Sequence, residues 1–115
     1  MNESAVKKVK NRIKYFYQKS LMLEIRYKET GTIESKERYY DVLDSLDFQL
    51  DIYYSNVMML LKSQENELFD TLLALPKEKV KRNMMSELIK EFENYKNNEP
   101  TIQELSFNIH NELKK

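Results

Sequence analysis

A single glycine and two prolines, Gly31, Pro76 and Pro100, are the only strong turn-formers among 115 residues. Tight β-hairpins favour Gly at positions of positive φ, and a sheet of several strands would need more such positions than this chain offers. The fold class that follows is all-α.

The apolar spacing agrees. Val6, Val9, Ile13, Phe16, Ser20, Leu23 and Tyr27 step by three and four residues, with Tyr17 and Leu21 widening the stripe. This predicts a helix over about residues 4–30, with Ser4 as N-cap and Gly31 as the left-handed residue that closes it. The loop would be Thr30 to Ser35. From there Tyr39, Leu43, Leu46, Leu50, Tyr53, Val57 and Leu60 repeat the spacing and predict a second helix over about 35–63. Two such stripes joined by a short loop make a long antiparallel helical hairpin with arms of about 40 Å.

Between Ile52 and Leu61 only Ser55 and Asn56 are strongly polar. A helix apolar on nearly all sides needs cover from later helices or from a second copy of the chain. The stripe then misses at Gln64 and Glu67 and resumes out of phase at Leu68, Leu72 and Leu75, which predicts a break and a short helix stopped by Pro76. Pro76 suits the first turn of a further helix carrying Val80, Met84, Leu88, Phe92 and Tyr95. Thr101 and Glu104 form a capping box, opening a last helix with Ile102, Leu105, Ile109 and Leu113 inward. Pro100 to Ser106 resembles the opening helix of many helix-turn-helix modules, without the Gly-containing turn those modules place next, so no family is assigned from it. The expected whole is a single helical domain, residues 1–115, in which two or three shorter C-terminal helices pack on the hairpin as a bundle.

The formal net charge of zero conceals a division by position. Residues 1–28 hold eight Lys/Arg against two acids, whereas residues 39–75 hold one Lys against seven acids. Lys7, Lys8, Lys10, Arg12, Lys14 and Lys19, interleaved with Tyr15, Phe16 and Tyr17, form the candidate binding set for a protein partner or for nucleic acid. The plainer reading makes Phe16 and Tyr17 core and the lysines a solvated or internally paired flank. An antiparallel register, however, sets Lys7 to Lys14 near Val57 to Gln64 rather than near the aspartates. Ile52, Met58 and Met59 are the candidate apolar interface.

Asp41, Asp44, Asp47 and Asp51 recur along one helical face. They lack the Glu-x-x-His spacing of carboxylate metal sites in bundles, so a solvated stripe or a docking surface for a basic protein explains them better than a metal. Met58, Met59, Met84 and Met85 read as core before they read as an adaptable surface. His110 is the sole histidine, there is no cysteine, and one glycine cannot build a phosphate-binding loop. No catalytic residue, cofactor or metal is expected.

The longest apolar run, Val57 to Leu61, is far too short to span a membrane, and the first residues lack a signal-peptide core. The expectation is a cytoplasmic, non-enzymatic helical interaction protein. It would be a small regulator or inhibitor, a homodimer, with the Lys/Asn/Ile bias of a bacterial or phage genome. Protein is the first partner expected and nucleic acid the alternative, with a structural assembly subunit third.

Overall fold

The computed structural model describes residues 3–93, which form four helices: α1 (Glu3–Thr30), α2 (Ile33–Ser63), α3 (Leu68–Leu73) and α4 (Lys77–Glu93). No strand occurs among the described residues, and no helix among them is long and apolar enough to cross a membrane. The capping box at Thr101, the helix expected beyond it, Tyr95 and His110 lie outside the described residues.

α1 and α2 form the antiparallel hairpin through the two stripes. Val6, Val9 and Ile13 meet Leu50, Tyr53, Val57 and Leu60 in the core, and Ile13, Tyr53 and Val57 are fully buried. Full burial of such side chains is worth about 1.5–3 kcal/mol each, which makes this end of the hairpin the main source of stability. Ser20, a polar residue on the stripe, is tolerated because its hydroxyl donates to the Tyr17 carbonyl at 2.6 Å.

The hairpin loop is shorter than the expected Thr30 to Ser35. Gly31 takes φ +62°, and α2 already begins at Ile33. Hydroxyl chemistry is the reason. Thr32 is the N-cap, its Oγ1 accepting the Ser35 N–H at 3.2 Å, and the Ser35 hydroxyl donates back to the Thr32 carbonyl at 2.9 Å. Ser35 is thus a buried residue of the first turn, not the start of the helix. Ser4, likewise, lies inside α1, which begins at Glu3.

The break after Ser63 is real and has a defined geometry. The Asn66 N–H bonds to the Leu61 carbonyl at 2.9 Å and the Glu65 N–H to the Lys62 carbonyl at 3.1 Å, while Glu65 holds φ 53°. This is a Schellman motif with glutamate in the left-handed position usually given to glycine. The Asn66 side chain then accepts the Leu68 N–H at 2.9 Å, starting the short α3. Pro76 precedes α4 and its carbonyl accepts the Val80 N–H at 3.1 Å.

α4 crosses the hairpin as a strap. Its inner residues Val80, Met84 and Leu88 are fully buried and join the hairpin core. Its first turns are tied to α2, where Lys81 meets Asp51 at 2.7 Å and Asp47 at 3.1 Å, and Lys77 meets Asp51 at 3.4 Å. Its last turn is tied to α1, where Glu91 meets Lys10 at 2.6 Å and Phe92 lies 6.2 Å from the Tyr17 ring. The charge division of the hairpin is therefore answered by a second division within α4, which is basic at Lys77, Lys79, Lys81 and Arg82 and richer in acids at Glu87, Glu91 and Glu93. That order opposes the helix dipole, which favours acids at the N-terminus, so it makes physical sense as a match to the hairpin rather than as local helix stabilisation.

Candidate functional site

With the core and strap accounted for, two charged helix faces remain, an acidic one on α2 (Glu34, Glu37, Asp41 and Asp44, all exposed) and a cationic one on α1. Lys8, Arg12, Tyr15, Lys19, Met22 and Arg26 step along α1 by four, three, four, three and four residues, so they share one face of the helix, and every one of them is exposed. This line contains four cations and no acid. It runs for about 27 Å at 1.5 Å per residue. None of the four cations is ion-paired to another described residue.

α1 holds this face outward because its opposite side is committed to α2. Two large apolar side chains interrupt the cations: Tyr15 is 57% exposed and Met22 72%. The Lys19 ammonium lies 5.8 Å from the Tyr15 ring centroid, and the Phe16 ring stands against the Tyr15 ring edge-on at 5.2 Å. Tyr15 is thereby held as part of the cationic line.

The candidate basic set is divided by this arrangement. Lys8, Arg12 and Lys19 lie on the line. Lys7 is exposed on a neighbouring face, and Lys14 is half-buried. Lys10 departs from the expected exposed position: its side chain is 8% exposed and paired to Glu91 under α4. Its place between Val6 and Ile13, four residues after one and three before the other, sets it at the edge of the apolar stripe, and that spacing was the signal. Arg26, absent from the candidate set, completes the line, as the same period continued from Lys19 would have shown.

The apolar candidates divide too. Met58 is buried in the core and Ile52 packs partly buried against it, so both serve folding, whereas Met59 is 53% exposed. The cover anticipated for this stretch of α2 includes α3 and α4, whose Leu72, Val80, Met84 and Leu88 share its core cluster. Met84 is buried and Met85 half-buried, so these methionines also serve packing.

Of the acidic stripe, Asp41 and Asp44 stay exposed, while Asp47 and Asp51 hold Lys81. The Lys81 hydrogen bond draws the Asp51 pKa down against the opposing effect of its partial burial. Burial would lower the pKa of Lys81, but its hydrogen bonds to Asp51 and Asp47 and their charges outweigh that effect and raise it above an ordinary lysine. No group of three or more His, Cys, Asp or Glu side chains among the described residues has the arrangement to hold a metal ion.

Over the described residues the fold and this surface define a class in outline, a four-helix strapped hairpin with a cationic face on α1. Comparison with known proteins adds no narrower identity: no family model, curated protein sequence or solved structure matches the chain.

Proposed function

We propose that this protein carries out no chemistry of its own and acts as a small cytoplasmic regulator or inhibitor by occupying a surface of another macromolecule. The contact is the outer face of α1. The single observation that supports this reading is the unbroken exposed line from Lys8 to Arg26, in which four cations, a tyrosine and a methionine occur without an acid. A face that served only solubility would be expected to mix both signs of charge, whereas one-signed faces steer oppositely charged partners and raise their rate of encounter.

The test is retention on immobilised heparin, a generic polyanion, by wild-type protein and by the variant K8E/R12E/K19E/R26E. The expected outcome is salt-dependent retention that the variant loses, with a far-UV dichroism spectrum and melting temperature close to wild type. Equal elution of the two proteins would refute the assignment of this face.

A second reading, self-association, draws on a different feature. The loop half of the hairpin lies beyond the part strapped by α4 and exposes Leu21, Ile25, Ile33 and Tyr40. A homodimer covering these residues fits the surplus of apolar surface. Its check is the solution mass across a concentration series.

A further inference from the structure

We infer that the outer face of α1 is a track for single-stranded nucleic acid, with the phosphates on Lys8, Arg12, Lys19 and Arg26 and a base stacked on Tyr15. This rests on the reading of that face as the contact surface and names the class of partner.

Three features favour a nucleic-acid strand. The cations follow the helix axis at offsets of about 6, 10.5 and 10.5 Å, given 1.5 Å per residue, so the charge is a line and not a patch. A line of one sign with no acid suits a polymer that carries a charge at every unit, whereas protein interfaces set their register by mixing both signs. Second, Tyr15 sits within that line, 57% exposed, with the Lys19 ammonium near its ring and Phe16 against its edge. An aromatic ring held among cations is the pairing that single-strand binders use, since every base has a face to stack and the backbone follows the charges. Third, an interfacial membrane helix needs a broad apolar face turned to the lipid. In α1 the stripe of Val6, Val9 and Ile13 is buried in the hairpin core, and the exposed large apolar residues are Tyr15 and, at the loop end, Leu21, Met22 and Ile25, which do not make an apolar face along the cationic line.

The experiment titrates the full-length protein against a labelled 20-nucleotide single-stranded RNA, the matching single-stranded DNA and the DNA duplex. It is run at about 50 and 200 mM salt, with poly-L-glutamate as a non-nucleic polyanion. Four phosphate contacts on a single strand predict a log–log salt slope of about −3, a loss of about fiftyfold between the two conditions. Tyr15→Ala should weaken single-strand binding about fivefold or more at constant slope, because stacking is not a charge effect. R12Q/R26Q should weaken binding and flatten the slope by about half, with dichroism confirming the fold of each variant.

Duplex bound as tightly as the single strands, with Tyr15→Ala silent, would overturn the stacked single-strand assignment. Binding of poly-L-glutamate but of no nucleic acid would overturn it while leaving the α1 face as a contact for an acidic protein. Binding of none of these probes at the lower salt would overturn both.

Discussion

Three backbone and side-chain positions carry local costs that single substitutions will expose. Gly31 and Glu65 both occupy the left-handed region, at φ 62° and 53°, yet only one of them is glycine. A Cβ on Gly31 would meet nothing within 4 Å, so Gly31→Ala should destabilise through conformation alone, by about 1 kcal/mol. Glu65→Gly should stabilise by up to about 1 kcal/mol for the same reason reversed, and the two opposite signs can be read by urea denaturation. Tyr53 is fully buried and its hydroxyl has no hydrogen-bond partner among the described residues. Burial, helped by the nearby Glu91 charge, raises its pKa well above the ordinary 10.0. Tyr53→Phe removes a desolvated group without opening a large cavity and should stabilise by about 1 kcal/mol at pH 7. A folded-state pKa above the unfolded one means that alkali favours the unfolded chain, so wild-type stability should fall above pH 10 as the unfolded tyrosine ionises. Denaturation at pH 7 and 10.5 should show the gap between the proteins widening. Gly31 as a helix end was legible because glycine alone is easy in that region. Glu65 was not, since nothing local distinguishes a strained glutamate from a solvated one.

The boundaries of the elements were largely legible in the sequence because stripes, breaks and prolines are local signals. The misalignment at Gln64 and Glu67 marked the end of α2, and Pro76 marked the entry to α4. What the strap does was not legible, because the Lys81–Asp47 pair joins residues 34 positions apart and only tertiary structure brings them together. Lys81 is 2% exposed, while the side chains of Asp47 and Asp51 are 65% and 42% exposed. The partners therefore differ in what removal leaves behind. Lys81→Met keeps the buried stem and leaves two carboxylates that water can reach, so it should cost under about 1 kcal/mol. D47N/D51N leaves a buried ammonium whose one remaining carboxylate among the described residues is Glu78, at 3.5 Å, and should cost about 3 kcal/mol. Asp51 has a folded-state pKa below its ordinary 3.8 and Lys81 one above its ordinary 10.5. The carboxylate contribution is thus present above about pH 4 and lost as acid protonates Asp51. The ammonium contribution is present below about pH 10 and lost in alkali. Denaturation of wild type and D47N/D51N at pH 3, 7 and 10.5 should show the gap between the two proteins widest at pH 7 and narrower at both extremes.

Across the whole molecule, burial is distributed unevenly along the 50 Å length. One end of the hairpin joins α1, α2, α3 and α4 in a single core cluster built on Val9, Ile13, Val57, Leu61, Leu72 and Met84. The other end is two helices joined at Gly31, with Leu21, Met22, Ile25, Ile33 and Tyr40 exposed and only Val42, Ser20 and Ser35 buried. Local opening free energy follows buried apolar contact, so the molecule should not unfold as a uniform rod. Hydrogen exchange should be slowest at Ile13, Val57 and Leu61 and faster by orders of magnitude from about residue 22 to residue 40, although both regions, the turn at Gly31 and Thr32 apart, are regular helix. Uniform protection along both arms would contradict this division. The same measurement tests self-association, because a second copy seated on the exposed loop half would slow exchange there as protein concentration rises and leave the strapped end unchanged. Protection at the loop half that is independent of concentration would point to a monomer and remove the self-association reading, because mass action would otherwise make that protection rise with concentration.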